Sequence, residues 1–392
     1  MASPPTPPKR IRENNHPPLI INPHKRVPLL KTATHQPSPE PTLPITNTKH
    51  HPAEAGPLSR DSLTEPKPRS QGSIFFIGTA TTIITYTPPA QQAPLRLLTD
   101  PNFLHATEHV HLGPGVTAER LTNPAVPDLA SLPPIDAILL SHYHEDHFDR
   151  KVQAQLSRDV PIVTTPHARG CLVDAEEKSG GEGFRRVWGV DFFEGVMLLP
   201  TPEGAGDKGE GNKGAIRVTG MPGKHVPPGV VGVANELVGA VPPTNGWLVE
   251  LGRTTHNARV TVTGEVEVGP EIGEAEFETG YRIYISGDTL MVDELKEIPK
   301  RLQGDKIDLM LAHLGGTTIP GPKMPLLMVT MDGKQGVELI KLVKPDVTVP
   351  IHYDDYDVFC SPLDDFRKEV KAAGLGAKVV YLDRGEEYKF EF

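Results

Sequence analysis

Leu140-Ser-His-Tyr-His-Glu-Asp-His147 places His142, His144, Asp146 and His147 within six residues, directly behind the apolar run Ile135-Asp-Ala-Ile-Leu-Leu140. Imidazole and carboxylate together suit zinc and its first-row neighbours. Two histidines one residue apart, followed by Asp-His, can address two ions rather than one. Histidines also cluster by chance on solvated loops, but here the cluster follows a strand-like run and further candidate ligands recur downstream at strand ends. The stretch is therefore read first as a metal site.

Working outward, Phe148 to Arg158 reads as a helix, Pro161 to Thr165 as a strand and His167 to Lys178 as a second helix, an alternation that implies an α/β sandwich. Upstream, Ile74–Ile77, Thr81–Tyr86 and Leu95–Thr99 read as a β-meander, parted by Gly, Pro and Gln. It ends at Asp100. Residues 103 to 134, with His105, His109 and His111, read as a long loop whose histidines line the mouth of the site without ligating. Downstream, Ala215–Thr219 runs into His225, and Tyr281–Ile285 delivers Ser286-Gly287-Asp288-Thr289. Ile307–Ala312 leads to His313-Leu-Gly-Gly316, and Asp346–Ile351 ends at His352. Gly287 lets the chain turn so that Asp288 can face the strand mouth. Helices are expected over Met291–Leu302, from an Asp332 cap to Val343, and from Ser361-Pro362 to a stop at Gly374; strands are expected over Lys378–Leu382 and Glu387–Phe392. Residues 202–213 and 253–279 have insertion composition.

His142, His144, Asp146, His147, His225, Asp288 and His352 thus come from four separated strand ends and can converge on one sheet edge. This set, together with SHYHEDH, SGDT, the HLGG run and PIHYDDY, resembles the metallo-β-lactamase superfamily over about residues 72–392. Within it the likeness is to the branch holding N-acylphosphatidylethanolamine phospholipase D and ascorbate-6-phosphate lactonase. The resemblance implies a four-layer αββα sandwich, with His142, His144 and His225 on one ion, Asp146, His147 and His352 on the other, and Asp288 bridging. It also places a supporting carboxylate at Asp100.

The implied cofactors are two divalent ions, zinc first, with manganese or iron as alternatives. A pair about 3.5–4 Å apart holds a water and lowers its pKa towards about 7, giving a bridging hydroxide for attack on a carbonyl or phosphorus centre. Asp146 and Asp288 orient the nucleophile. His313 lies outside the ligand set and has two readings: substrate polarisation or leaving-group protonation, or orientation of a ligand. The expected activity is hydrolysis of a small-molecule lactone, ester, amide or phosphoester. The alternatives are a phospholipase D-type phosphodiesterase and a metal-binding scaffold without turnover. The full ligand set argues against the scaffold, and no counterpart of a membrane-docking surface is seen for the lipid reading.

Composition narrows the setting. Residues 1 to about 70 hold 16 of the 42 prolines, with ten Lys/Arg against five Asp/Glu, and are expected to be a disordered tail. The body, 71–392, carries 30 Lys/Arg against 45 Asp/Glu, too acidic for a general nucleic-acid binder. Cys171 and Cys360 are the only cysteines, and no run of 18 apolar residues occurs. The expected location is intracellular and cytoplasmic, with Lys9-Arg10-Ile11-Arg12 as a basic cluster that would also serve nuclear import.

Overall fold

The computed structural model describes residues 16–33, 39–51, 69–89, 91, 93–113, 115–174, 182–201, 213–227, 241–254, 277–321 and 324–392. Two sheets form its centre. The seven-stranded sheet runs in the order β1 (Leu19–Ile21), β11 (Gly195–Pro200), β12 (Lys213–Pro222), β13 (Asn245–Thr254), β14 (Phe277–Ile285), β15 (Leu309–His313) and β18 (Val347–Ile351). The eight-stranded sheet runs β10 (Val187–Gly189), β9 (Ile162–Thr164), β8 (Ala137–Leu139), β5 (Leu95–Thr99), β4 (Thr81–Thr87), β3 (Gln71–Gly78), β19 (Glu386–Glu391) and β2 (Asn47–Lys49). Each sheet joins an antiparallel part to a parallel one: β11 to β14 and β3 to β5 are antiparallel, whereas β14–β15–β18 and β5–β8–β9–β10 are parallel.

Strands buried on both faces explain the unbroken apolar runs in the sequence. On β3, Ile74 and Phe76 enter the core shared by the two sheets, while Phe75 and Ile77 enter the layer that holds Val152 of α1 (Arg150–Gln155) and Leu172 of α2 (Pro166–Val173). On β15, Leu309 and Leu311 point into the shared core. Met310 and Ala312 point outward, to Ile298 of α3 (Glu297–Leu302), Ile340 of α4 (Gly333–Val343) and Phe366 of α5 (Leu363–Ala372). The architecture is thus αββα, the metallo-β-lactamase fold that the motifs imply. Asp332 caps α4 as expected, accepting the Gln335 N–H at 2.8 Å, and Gly374 ends α5 with φ +70°.

Several expectations need correction. Within the expected tail, two described stretches between residues 16 and 51 pack on the body. β1 pairs with β11, β2 pairs with β19, and Arg26 forms an ion pair with Asp136 at 2.8 Å. Strand pairing uses backbone groups that composition does not report. Residues 103–134 include a hairpin, β6 (His109–Gly113) with β7 (Val116–Glu119). A second hairpin, β16 (Thr318–Gly321) with β17 (Met324–Met328), follows the HLGG run. Residues 376–378 form a 3-10 turn, and only an isolated bridge to Val379 stands where a strand over Lys378–Leu382 is expected. Of the two insertions, 202–212 and 255–276 lie outside the described residues, and their flanks belong to β12, β13 and β14. Among the described residues, no helix is long and apolar enough to cross a membrane.

Candidate metal centre

Parallel strands deliver the site. β8 ends just before the histidine loop, β14 before Asp288 and β18 before His352, while β12 runs out towards His225. Gly287 makes the turn to Asp288 with φ +61°, and a Cβ there would lie 2.3 Å from Asn245 O, so only glycine fits. Asn245 N–H in turn donates to Ser141 O at 3.0 Å, tying the second strand of the ligand-bearing edge to the histidine loop of the other sheet.

All seven expected ligands meet, in two groups. His142, His144 and His225 form one, and Asp146, His147, Asp288 and His352 the other, with the candidate ligand atoms of each group within 4.8 Å of one another. The rings of His142 and His147, one from each group, are 4.2 Å apart. Six of the seven residues are buried, and His144 is half-buried. Asp288 Oδ2 lies 3.2 Å from His147 Nε2 and 3.5 Å from His352 Nε2.

The imidazoles are held from behind. His225 Nδ1 bonds Val329 O and His352 Nδ1 bonds Leu314 O, each at 3.1 Å; as carbonyls only accept, these nitrogens donate and the Nε2 lone pairs face the site. His147 Nδ1 lies 3.2 Å from Asp100 Oδ2, and Asp100 Oδ1 accepts the Ser141 N–H at 2.7 Å, so Asp100 occupies the supporting position the resemblance gives it. His147 Nε2, His225 Nε2, His352 Nε2 and Asp146 Oδ1 are buried without a hydrogen-bond partner. Partnerless buried polar atoms are rare, and these four, three in one group and His225 Nε2 in the other, are of the types that a cation takes as donors.

The charges agree. Burial holds His142 well below the ordinary imidazole value, lowers His144 and pushes His225 down to about 4, leaving neutral donors. In the other group, burial opposes charge, but His147, His352 and His144 together outweigh it and hold Asp146 at about 2, and His352, His147 and His313 keep Asp288 well below the carboxylate range. Against its own burial, His147 is raised well above the usual value by Asp288, Asp146 and Asp100, and His352 is raised by Asp288 and Asp146. Two buried carboxylates demand two positive charges here. A divalent cation supplies the same charge.

His313 is fully buried, and its Nδ1 lies 3.0 Å from Asp288 Oδ1, the oxygen other than the one that faces His147 and His352; Thr330 Oγ1 donates to Oδ2 at 3.2 Å. Tyr143 donates to Gln153 Oε1 at 2.8 Å and Tyr353 packs with the helices, so both have structural roles. His105, His109 and His111 stand against Glu108, Glu119 and Glu145, outside both groups. Sequence reasoning missed Asn102, Arg120 and Asp355, buried polar residues behind the candidate ligands. The only available signals were the places of Asn102 in Asp100-Pro-Asn102 and of Asp355 in PIHYDDY, and Arg120 had none.

No family model matches the chain. A UPF0173 metal-dependent hydrolase from Cupriavidus metallidurans is 24% identical over 280 residues, 71% of this chain and 78% of that protein. One from Archaeoglobus fulgidus is 34% identical over 111 residues, 28% of this chain and 42% of its own length. Among solved structures, the isothiocyanate hydrolase from Delia radicum gut bacteria superposes with a TM-score of 0.55 at 16% identity, covering 82% of this chain and 100% of that one. A possible metal-dependent hydrolase from Veillonella parvula gives 0.52 at 18% identity, covering 80% and 98%. The solved neighbours share the fold, and in sequence the chain is similar to proteins named UPF0173 metal-dependent hydrolases, of whose length it covers 78% in one case and 42% in the other.

Proposed function

We propose that the chain hydrolyses a small-molecule lactone, ester, amide or phosphoester with two divalent cations, zinc first among them. His142, His144 and His225 hold one cation, Asp146, His147 and His352 the other, and Asp288 lies between them. The observation that carries this reading is the convergence of buried, partnerless Nε2 and carboxylate atoms from both sheets. When bound, such a pair supplies Lewis acidity and acidifies the attacking water to near neutrality.

The chain's own residues do the rest. Asp146 and Asp288 stay ionised and bring the two negative charges that the cations need. His144, the half-buried ligand, marks the side from which substrate arrives. His313 donates from Nδ1 to a carboxylate that can only accept, so its Nε2 carries no proton while the ring is neutral, and burial lowers its pKa. Of its two roles, orienting Asp288 is therefore favoured over protonating a leaving group. The likeness to the lactonase and phospholipase branch rests on the motifs alone, and the small-molecule reading is preferred to the lipid one.

The test is metal analysis of the purified protein beside a screen of lactones, phosphodiesters and acyl amides. Isothiocyanates join the screen because a structural neighbour hydrolyses them. About two metals per chain and hydrolysis abolished by chelation are expected. Fewer than two metals in the active protein would remove the two-cation reading, and chelator-insensitive hydrolysis would remove the cations from the reaction.

A further inference from the structure

Arg120 and Asp355 have fully buried side chains, and the hydrolytic reading uses neither. Arg120 follows β7, Asp355 lies in the loop after β18, and Arg120 Nη2 sits 2.9 Å from Asp355 Oδ1. Two arms run from this ion pair to the ligands. On one, Arg120 Nη1 donates to Asn102 Oδ1 at 3.2 Å, and Asn102 Nδ2 donates at 2.9 Å to the Glu145 carbonyl, the peptide oxygen between His144 and Asp146. On the other, Asp355 Oδ2 accepts the Thr79 N–H at 2.8 Å, and Thr79 O accepts the His352 N–H at 3.0 Å. Arg120 Nη1 also donates to Thr79 Oγ1, which closes the circuit.

The backbone shows why such holding is needed. Thr79 has φ +50° and His352 φ +63°, in the left-handed region that side-chain-bearing residues seldom occupy and that persists only when the surroundings impose it. One arm ends on the ligand loop of the eight-stranded sheet, the other on a ligand of the seven-stranded sheet. The second end, His352, belongs to the group of Asp146, His147, Asp288 and His352, and the first, Glu145, directly precedes Asp146 of that group and follows His144 of the other.

We propose that Arg120 and Asp355 are positioning residues, a clamp that sets Asp146 and His147 against His352 and thereby fixes the affinity of that group for its cation. The proposal rests on the two-cation reading. A second buried ion pair gives the control: Arg217 and Glu250, each about as buried, meet at 2.5 Å across β12 and β13, and the hydrogen bonds described for them reach no ligand.

The experiment is a stepwise zinc titration of the full chain against a chromophoric chelator, with the melting temperature followed in parallel. Arg120→Met should weaken the second zinc by about 10- to 100-fold, the range for groups that orient metal ligands, and leave the first within about twofold. Arg384 Nη2 also lies 2.9 Å from Asp355 Oδ1, so a cation stays there in every variant; Arg120→Lys restores the second one and a donor towards Asn102 and Thr79, and should recover part of the loss, which a packing defect would not allow. Arg217→Met should lower the melting temperature and leave both zinc affinities alone. Asn102→Ala removes one arm without exposing a buried charge, and it decides the matter if Arg120→Met does not fold. Unchanged second-site affinity in Arg120→Met, or in Asn102→Ala where it alone folds, would overturn the clamp, as would an equal loss in Arg217→Met. Wild-type protein that takes up a single zinc would instead refute the two-cation reading, and the clamp with it.

Discussion

Asp288 is the residue on which the charge balance of the centre turns. Its carboxylate lies between His147 and His352, and its far oxygen is held by His313. Asp288→Asn keeps the shape and removes the charge, so repulsion between two cations is no longer offset. Metal content should fall from about two per chain towards one, with hydrolysis down at least ~100-fold; two metals and normal turnover in that variant would dismiss the dinuclear assignment. His313→Ala deprives Asp288 Oδ1 of its donor and should weaken metal binding ~10-fold together with turnover, whereas His313→Asn offers an amide donor and should restore much of both. If the asparagine variant stays as impaired as the alanine one, His313 acts on substrate and not through Asp288. At this scale the meeting of the seven candidate ligands was legible because each is a metal-binding type standing at or shortly past the end of an apolar run. Arg120 and Asp355 were not, since their meaning is a contact between residues far apart in sequence, which no spacing encodes.

Among the elements, long apolar runs with clear caps read well: β3, β4, β5 and β15, and α4 with its Asp332 cap. The short pieces did not. β1 and β2 are three residues each, in a stretch rich in proline and poor in large apolar residues, and they gain their place by adding to strands the rest of the chain has already built. The β6–β7 hairpin alternates exposed and buried residues, but over too few positions to stand out among its glycines. Docking of the leading segment leads to a definite expectation. Asp136 is fully buried, and Arg26 meets both its carboxylate oxygens, at 2.8 and 3.1 Å. Arg26→Ala leaves that carboxylate with the Arg96 N–H as its remaining hydrogen-bond donor, at 2.8 Å. Breaking one side of a buried pair costs about 3–5 kcal/mol, to be read from denaturant unfolding. Removing residues 1–51 should likewise lower the melting temperature, and an unchanged value would show that β1 and β2 add nothing to the body.

For the whole molecule, the candidate centre sits where two sheets meet, and its candidate ligands come from both. A cation bound to the folded chain alone stabilises it by about 2.7 kcal/mol at a hundredfold excess over its dissociation constant. Chelation should therefore lower the melting temperature by several degrees and re-addition of zinc restore it, measured by scanning calorimetry; a chelation-insensitive transition would mean that the cations add nothing to the fold. The double-sheet architecture was legible because the ligand order implied it. The partition of strands between the sheets was not, because β11 and β13 carry no motif. The spread of the ligands along the chain also has a consequence for polymer statistics. His142 and His225 sharing one ion, and Asp146 and His352 another, would close two large overlapping loops, the second spanning more than half of the polypeptide. Cys171 and Cys360, the only two cysteines, form no disulfide with each other. The cations would then be its only crosslinks, and stripping them would resemble reducing a pair of disulfides, enlarging the set of shapes open to the chain before any packing contact is lost.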